Sequence, residues 1–230
     1  MGIIIDNPRF RDKRFVFTDR HDAGRNLGEL IRSRPLPQEP VVMPIPAGGV
    51  PVGVEIARAL CAPLKLAIVR KIQIPGNTEA GFGAVTWDGQ VLINDRLLAT
   101  LGLTAAEVDA AIAATRHNVS ERIARYSSGS VFPDLTDKCV ILTDDGLASG
   151  YTMLAAISGI RPHGPKKVMV AVPTASAATA ERIAREVDEV ICPNIRSGYR
   201  FAVAEAYRYW YDLDDREVLA ELGSVGETCR

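Results

Sequence analysis

Neither sign of charge is in excess in this sequence, because 27 lysines and arginines stand against 28 aspartates and glutamates and the net charge is −1. This balance gives no electrostatic bias toward nucleic acid or toward a membrane surface. Residues 1–14 form too short and too charged a segment for a signal peptide or a membrane span. We therefore expect a cytoplasmic protein that has no nucleic-acid or membrane partner.

Cysteine is scarce as well, and the four residues Cys61, Cys139, Cys192 and Cys229 lie far apart. None of them forms a Cys-x-x-Cys pair, so buried thiols in a reducing compartment are expected rather than disulfides or a zinc site. The three histidines have no nearby serine, cysteine or carboxylate of obvious geometry, and we assign no histidine catalysis. The chain also lacks a nucleophile elbow and a catalytic triad, which weighs against a hydrolase.

What the sequence does contain is a strand, a small-residue turn and a helix between Val140 and Ile160. The apolar run Val140–Leu142 is typical of a buried parallel strand, and the acid pair, Asp144 and Asp145, follows where this strand ends. A helix is predicted from Met153 onward. A solvated turn between strand and helix is the alternative interpretation of the acid pair.

The turn itself has the features of an anion site. Backbone N–H groups at a helix N-terminus are unpaired, and the helix dipole favours negative charge there. Ser149 and Thr152 add hydroxyl donors, and Gly146 and Gly150 bracket the turn. The two carboxylates would repel a phosphate and instead suit neutral hydroxyls, or a divalent cation reached through water. A phosphate on one side and a diol on the other describe a ribose 5-phosphate.

This run resembles the signature of the type I phosphoribosyltransferases, a hydrophobic strand followed by Asp-Asp, a few small residues and Thr-Gly-x-Thr. In that family the signature binds phosphoribosyl diphosphate (PRPP). The resemblance implies that the acid pair holds the ribose hydroxyls and that residues 146–152 form the phosphate loop. Ser149 replaces the usual threonine, and Tyr151 stands where a small residue is more common. The matching residues are Asp144, Asp145, Gly146, Ala148, Ser149, Gly150 and Thr152.

The family also implies a diphosphate loop after an earlier strand. A strand is predicted at Val41–Ile45 and an apolar helix at Val52–Cys61, and Ala47, Gly48 and Gly49 lie between them. In the family a basic residue often precedes the two glycines. Ala47 takes its place here, so that backbone N–H groups alone would contact the diphosphate. A simple glycine turn between strand and helix is the alternative.

Two further segments receive roles from the resemblance. Similar Arg-Lys pairs contact the diphosphate in several phosphoribosyltransferases, which implies that role for Lys71 and, more weakly, for Arg70 at the end of a predicted strand at Lys65–Val69. A solvated basic pair is the alternative. The segment Ile72–Ala84 has the composition of a mobile loop and falls where the family carries a flexible loop that closes over the active site. A loop of ordinary hairpin type is the alternative. Val85–Leu98 predicts a short hairpin around its Asp-Gly pair.

The segment Ser197–Tyr211 is rich in aromatic residues. Most of these rings are expected to form a hydrophobic lid over the sheet edge. Phe201 resembles the position at which purine phosphoribosyltransferases stack on the base, and it is the one candidate for base stacking.

Predicted strands alternate with predicted helices along the chain, which indicates an α/β fold with a central, twisted parallel sheet and helices on both faces. The resemblance adds a small hood formed by the terminal segments and the flexible loop. We expect one domain over residues 1–230, with its core at about 41–215 and the hood at 1–40 and 195–230.

The function that the resemblance implies is the transfer of ribose 5-phosphate from PRPP to a nitrogenous base or related amine, with release of diphosphate. Its cofactor would be Mg²⁺ carried by PRPP and bridged through water to the acid pair, with no direct protein ligand. A homodimer is expected from the family. Two alternatives remain open: a regulator that binds PRPP or a nucleotide without turnover, which Ala47 favours, and an interaction protein with a degenerate site. The acceptor stays open among purines, pyrimidines and other amines.

Overall fold

The computed structural model describes residues 2–36, 39–126, 133–198 and 200–224. In chain order its elements are β1 (Ile3–Ile5), α1 (Arg20–Arg32), β2 (Pro40–Pro44), α2 (Gly49–Leu60), β3 (Val69–Ile74), β4 (Asn77–Thr86), β5 (Val91–Ile93), α3 (Asp95–Leu98), α4 (Ala105–Tyr126), β6 (Cys139–Thr143), α5 (Tyr151–Ile160), β7 (Lys167–Ala171), β8 (Thr174–Ser176), α6 (Ala177–Ala184), β9 (Glu189–Ile191), β10 (Asn194–Arg196) and α7 (Asp215–Gly223).

The central sheet has five parallel strands in the order β1-β9-β7-β6-β2. Successive side chains of a strand point to opposite faces, so each strand contributes to two cores. In β6, Val140 and Leu142 face α5 and α6, whereas Ile141 faces α1 and α2. All three side chains are fully buried, which a strand covered by helices on both faces requires. The predicted α/β fold with a central parallel sheet is confirmed.

The chain after α2 extends this sheet without forming a regular strand. Val42 donates its N–H to the carbonyl of Pro63, and Lys65 donates to the carbonyl of Val42, so this stretch borders β2. The strand predicted at Lys65–Val69 is therefore present only as this irregular edge of the central sheet, and the regular strand β3, which begins at Val69, belongs to a different sheet.

The segment predicted as a flexible loop forms an antiparallel ribbon, which consists of β3, β4 and β5. Ile72, Phe82 and Val85 of this ribbon are buried against α2 and α4, and this apolar anchoring explains why the segment is paired. The segment is thus paired as in an ordinary hairpin, and its mobility and its closure over the site stay predictions. The hairpin predicted around residues 88–89 is confirmed as the β4–β5 connection.

Side chains cap the starts of two helices. Helix α4 begins with a capping box, because Glu107 accepts from the Thr104 N–H at 2.8 Å and Glu107 N–H donates to Thr104 Oγ1 at 3.3 Å. Helix α1 begins at Arg20, and its cap is Asp19, whose carboxylate accepts from the Asp22 N–H at 2.8 Å. Of the helices within the described ranges, none is both long and apolar enough to cross a membrane.

The two terminal segments pack together beside the carboxyl edge of the sheet. Phe17 N–H donates to the carbonyl of Ala206, and the rings of Phe10, Phe17, Tyr207 and Trp210 form one cluster. The aromatic lid is therefore present for Tyr207 and Trp210, whereas Tyr209 and Tyr211 are exposed and Tyr199 lies outside the described residues.

The N-terminal strand β1 is an edge strand of the central sheet and pairs with β9. The assignment of residues 1–230 to one domain with a hood stays a prediction.

The described cysteines Cys61, Cys139 and Cys192 are free thiols. Cys139 and Cys192 are buried, and burial raises the pKa of Cys139 to about 11. Cys61 is exposed and adopts a left-handed conformation at the end of α2. Cys229 lies outside the described residues.

Helix α7 is held to α1 and α2 by a histidine clamp. His21 Nδ1 lies 3.0 Å from Glu55 Oε1, and His21 Nε2 lies 3.0 Å from Glu221 Oε1. Arg58 and Arg25 also approach Glu55, at 3.0 and 4.0 Å. Both ring nitrogens can donate only when the imidazole is protonated. The hydrogen bond that His21 donates to Glu221 is the main cause that raises the pKa of His21, against the opposing effect of burial.

This clamp predicts a pH-dependent stability. Because the folded-state pKa exceeds the unfolded value of about 6.5, the stabilisation is complete below that pH and is lost as the pH rises through the folded-state pKa. Denaturant titrations should show the wild-type advantage over His21→Gln shrinking above about pH 6.5. His117→Gln is the control, since His117 is exposed and contacts Glu121 of its own helix at 3.4 Å. A pH-independent difference would contradict a charged His21.

Candidate functional site

The acid pair lies at the carboxyl edge of the central sheet, directly after β6. Asp145 donates its N–H to Asp144 Oδ1 at 2.9 Å, which fixes the two side chains relative to each other. Arg20 Nε donates to Asp145 Oδ2 at 3.0 Å. Tyr207 donates its hydroxyl to the Asp145 carbonyl at 2.5 Å. The pair is thus held by groups from both terminal segments.

Arg20 connects the acid pair to the hood. Its side chain is only 7% exposed, and its guanidinium stacks 3.9 Å from the ring centre of Trp210. Arg20 Nη1 donates to the carbonyl of Tyr211 at 2.8 Å. Sequence analysis missed both Arg20 and Tyr207, because their contacts with Asp145 span 125 and 62 residues. No local motif signals such a contact.

The electrostatics of the acid pair favour ligands that neutralise its negative charge or donate hydrogen bonds to it. Burial, and then the charge of Asp145, raises the pKa of Asp144 well above its usual value. Burial also raises the pKa of Asp145, although Arg20 opposes this shift. A hydroxyl donor or a nearby cation would lower both pKa values, so sugar hydroxyls or a hydrated metal ion suit this position.

The predicted diphosphate loop lies against the acid pair. A methyl group on Gly48 would lie 1.9 Å from Asp145 Oδ2, and one on Gly49 would lie 2.9 Å from Asp144 Cα. The Pro46–Ala47 peptide bond that opens this loop is cis. The contact requires residues without a side chain at both positions. The loop and the acid pair, separated by almost a hundred residues in sequence, therefore form one surface.

The predicted phosphate loop continues from the acid pair to the start of α5. Gly150 is the N-cap residue of α5 and has a φ of 69°, which favours glycine. It has no side chain that could cap the helix. Ala148 and Ser149 are exposed, Gly146 and Thr152 are partly buried, and the Ala148 carbonyl accepts from Thr179 Oγ1 at 2.7 Å. The open N–H groups of the first helical turn and the exposed Ser149 give this loop the chemistry of a phosphate site.

Tyr151 does not fill the phosphate loop. Its side chain is 53% exposed, and its hydroxyl accepts from Asn94 Nδ2 at 3.4 Å. The guanidinium carbon of Arg182 lies 5.0 Å from the centre of the Tyr151 ring. The bulky residue in the loop is therefore directed outward, toward an arginine of α6.

The two predicted diphosphate cations occupy neighbouring positions of β3, and neighbouring strand residues face opposite sides. Arg70 is partly buried; burial and the nearby charge of Arg122 lower its pKa. Arg70 thus faces helix α4. Lys71 is exposed, and its stem packs over Gly81, where a methyl group would lie 2.2 Å from Lys71 Cγ. Both border a cavity of about 450 Å³ between the ribbon and α4.

Phe201 follows strand β10 and is partly buried. The guanidinium carbon of Arg196 lies 5.5 Å from the centre of its ring, and Arg196 is paired with Glu205 at 2.7 Å. Val203 contacts the phosphate loop, since a methyl group on Gly146 would lie 2.6 Å from Val203 Cγ1. Arg196 occupies one face of the Phe201 ring, so a base could stack only on the other face. Base stacking by Phe201 stays a prediction.

The acid pair offers two carboxylates to a metal ion. Across residues 2–36, 39–126, 133–198 and 200–224, no three His, Cys, Asp or Glu side chains are grouped so that they could hold a metal. Asp144 Oδ1 and Asp145 Oδ2 already accept hydrogen bonds. Mg²⁺ keeps several waters and is usually bound through one or two carboxylates and substrate phosphates. The donor set fits Mg²⁺ that arrives with a phosphorylated substrate.

Comparisons with known proteins agree with this site. A family model described as the phosphoribosyl transferase domain matches residues 20–210, which include the acid pair and both loops. "Putative phosphoribosyl transferase Rv0571c" of Mycobacterium tuberculosis is 37% identical over 207 residues, 90% of this chain and 46% of the relative. The chain spans about half the length of the curated relatives that it matches. The crystal structure of TT1426 from Thermus thermophilus is 33% identical, with a TM-score of 0.75 over 90% of this chain and 97% of that one.

Proposed function

The chain belongs to the phosphoribosyl transferase domain family, and we propose that it transfers ribose 5-phosphate from PRPP to a nitrogenous acceptor and releases diphosphate. The observation that carries this proposal is the contact of Gly48 and Gly49 with Asp144 and Asp145. It brings the diphosphate loop, the acid pair and the adjoining phosphate loop to one edge of the sheet. PRPP carries a diphosphate, a diol and a phosphate in that same sequence.

The mechanism follows from the charges that develop at the anomeric carbon. Cleavage of the bond to diphosphate builds positive charge on the sugar and negative charge on the leaving group. The acid pair accepts hydrogen bonds from the ribose hydroxyls and stabilises the positive sugar, while Arg20 holds Asp145 in place. The acid pair would hold Mg²⁺ through water, and the ion, when bound with PRPP, would neutralise charge on the diphosphate.

The remaining residues fix the two ends of the substrate. The N–H groups of residues 146–152, with the hydroxyls of Ser149 and Thr152, bind the 5′-phosphate. Backbone groups of residues 47–49 approach the diphosphate, and Lys71 adds a positive charge that Ala47 cannot supply. Arg70 is the weaker candidate, since it faces α4. Closure of the β3–β4 ribbon would exclude water, which otherwise competes with the acceptor.

A second function, binding of PRPP or a nucleotide without turnover, has two observations in its favour. Ala47 leaves the diphosphate loop without a cation, and Arg20 already occupies Asp145 Oδ2. Both features would weaken stabilisation of the leaving group or the sugar more than they would weaken binding of the 5′-phosphate.

The deciding experiment measures the melting temperature with Mg²⁺ and PRPP, and then diphosphate release with a panel of purines, pyrimidines and other amines. At a ligand concentration about 100 times Kd, binding adds about 2.7 kcal/mol to the free energy of unfolding. Stabilisation with acceptor-dependent release supports the transferase and names the acceptor class. Stabilisation without release from any acceptor supports the regulator. An unchanged melting temperature contradicts both functions.

We further propose that the protein acts in nucleotide metabolism in the cytoplasm and that it forms a homodimer. Sedimentation velocity tests the dimer directly, and a monomer at micromolar concentration would contradict it.

A further inference from the structure

One face of helix α6 packs on the phosphate loop. Arg182 and Ile183 follow Thr179 by three and four residues, so both lie on the same face of the helix as Thr179. A methyl group on Gly150 would lie 2.7 Å from Thr179 Cγ2, 3.3 Å from Arg182 Nη2 and 3.6 Å from Ile183 Cδ1. The Arg182 guanidinium therefore lies at the N-terminus of α5, beside the predicted binding position of the 5′-phosphate.

The Arg182 side chain has no acceptor of its own. Its Nε is buried without a hydrogen-bond partner, and its guanidinium forms no hydrogen bond or ion pair with another residue in the described part of the chain. A buried donor without an acceptor is costly and uncommon in native proteins. A bound anion would supply the acceptor that Arg182 lacks.

Tyr151 holds this arginine in place. The guanidinium lies over the ring at 5.0 Å from its centre, a distance typical of a cation–π contact. The Tyr151 hydroxyl accepts from Asn94, which restrains the ring at its hydroxyl end. This contact accounts for a bulky aromatic residue in a loop whose other exposed residues, Ala148 and Ser149, are small.

We propose that Arg182 binds the 5′-phosphate of the substrate and that Tyr151 positions its guanidinium; this inference rests on the proposed function. The phosphate loop offers only neutral amides and hydroxyls to a group that carries close to two negative charges. A guanidinium presents paired N–H donors that match two phosphate oxygens, which a helix N-terminus alone does not. The ligand class is a sugar 5-phosphate, either free or as part of PRPP or a nucleotide.

Calorimetric titration with three probes tests this assignment: ribose 5-phosphate, Mg²⁺-diphosphate and Mg²⁺-PRPP. Arg182→Ala should raise Kd for ribose 5-phosphate and PRPP by the same factor, about 10- to 100-fold, because a hydrogen bond to a charged group is lost. Kd for diphosphate should not change. Arg182→Lys keeps the charge without the paired donors and should lose less affinity for the two sugar phosphates than Arg182→Ala does. Tyr151→Leu should also weaken ribose 5-phosphate binding.

Arg185→Ala is the matched control, because it removes the same charge from an exposed position at the end of the same helix. All variants are compared after their melting temperatures show that they are folded, and Arg182→Gln replaces Arg182→Ala if the latter is not. The role of Arg182 would be overturned by an unchanged Kd for ribose 5-phosphate in the Arg182 variants. It would also be overturned if Arg185→Ala lost as much affinity, or if only the affinity for diphosphate fell. Failure of the unaltered protein to bind either sugar phosphate would instead overturn the proposed function and this inference together.

Discussion

Replacing Asp144 with asparagine is expected to lower PRPP-dependent diphosphate release by about 10²- to 10³-fold, the usual cost of losing one charge that stabilises a transition state. The same change is expected to raise the melting temperature at neutral pH. Asparagine has the shape of aspartate and can still accept the Asp145 N–H through its Oδ1. It removes a buried negative charge that lies beside Asp145 and so relieves repulsion within the pair.

The gain in stability from Asp144→Asn should be larger at neutral pH than at acidic pH. Burial and Asp145 raise the folded-state pKa of Asp144, so the folded protein binds a proton more readily than the unfolded chain does. Ionisation of Asp144 therefore costs stability above the unfolded pKa of about 3.9, and this cost disappears as the pH falls below that value. The advantage of Asp144→Asn should be present at pH 7 and should vanish near pH 4, as measured by denaturant titration.

Asp145→Asn provides the contrast. It should lower diphosphate release as well, but it should stabilise the protein less than Asp144→Asn does, because the loss of the charged partner of Arg20 offsets the relief of a buried charge. Arg20 keeps its stacking on Trp210 and its bond to the Tyr211 carbonyl. A larger gain in stability for Asp144→Asn than for Asp145→Asn, with parallel losses of activity, would distinguish the two carboxylates. Wild-type activity in either variant would remove the acid pair from the mechanism.

The sequence was sufficient for the parts of the site that are local. The acid pair and both glycine loops each lie between a strand and the following helix, and the apolar run at 140–142 identifies the buried strand β6. Parallel strands bring their carboxyl ends to one edge, so the meeting of the two loops follows from the fold class. These positions could be predicted because each rests on fewer than about fifteen consecutive residues.

Arg20 could not be predicted in this way. It stands at the polar start of an amphipathic helix, where an arginine is normally solvated, and only the packing of the hood buries it against Asp145. The position of Arg182 could not be predicted either, because its place beside Gly150 depends on how α6 packs on the phosphate loop. Contacts between distant segments are set by tertiary packing, which the periodicity of one segment does not record.

The Arg70 and Lys71 pair was only partly accessible to sequence analysis. Alternation along a strand implies that one of two neighbours faces away from any given site. Which of them does so depends on the pairing of β3 with β4, which contains irregularities between Ile72 and Ile74. The preference for Lys71 over Arg70 is consistent with the observed position of Arg70 against α4, and the role of Lys71 stays a prediction.

Gly48→Ala is expected to remove PRPP-induced stabilisation and to lower diphosphate release by at least about 10²-fold, since it displaces a group that must be positioned within a fraction of an ångström. Gly48 has helical dihedral angles, φ −58° and ψ −33°, so alanine causes no backbone strain there. The expected loss of stability and activity comes only from a steric clash of the methyl group, which would lie 1.9 Å from Asp145 Oδ2 and 2.5 Å from Asp145 Cγ. Asp145 cannot move aside without losing its bond from Arg20.

A double-mutant cycle isolates this contact. Gly48→Ala should cost about 1–3 kcal/mol of stability in the wild-type protein, the usual effect of overpacking. It should cost much less in an Asp145→Ala background, because the atoms that the methyl group strikes are then absent. Gly223→Ala is the control, since no atom lies within 4 Å of its added methyl group. Additive effects of Gly48→Ala and Asp145→Ala would mean that the diphosphate loop and the acid pair do not touch, and the PRPP site proposed from their contact would lose its main support.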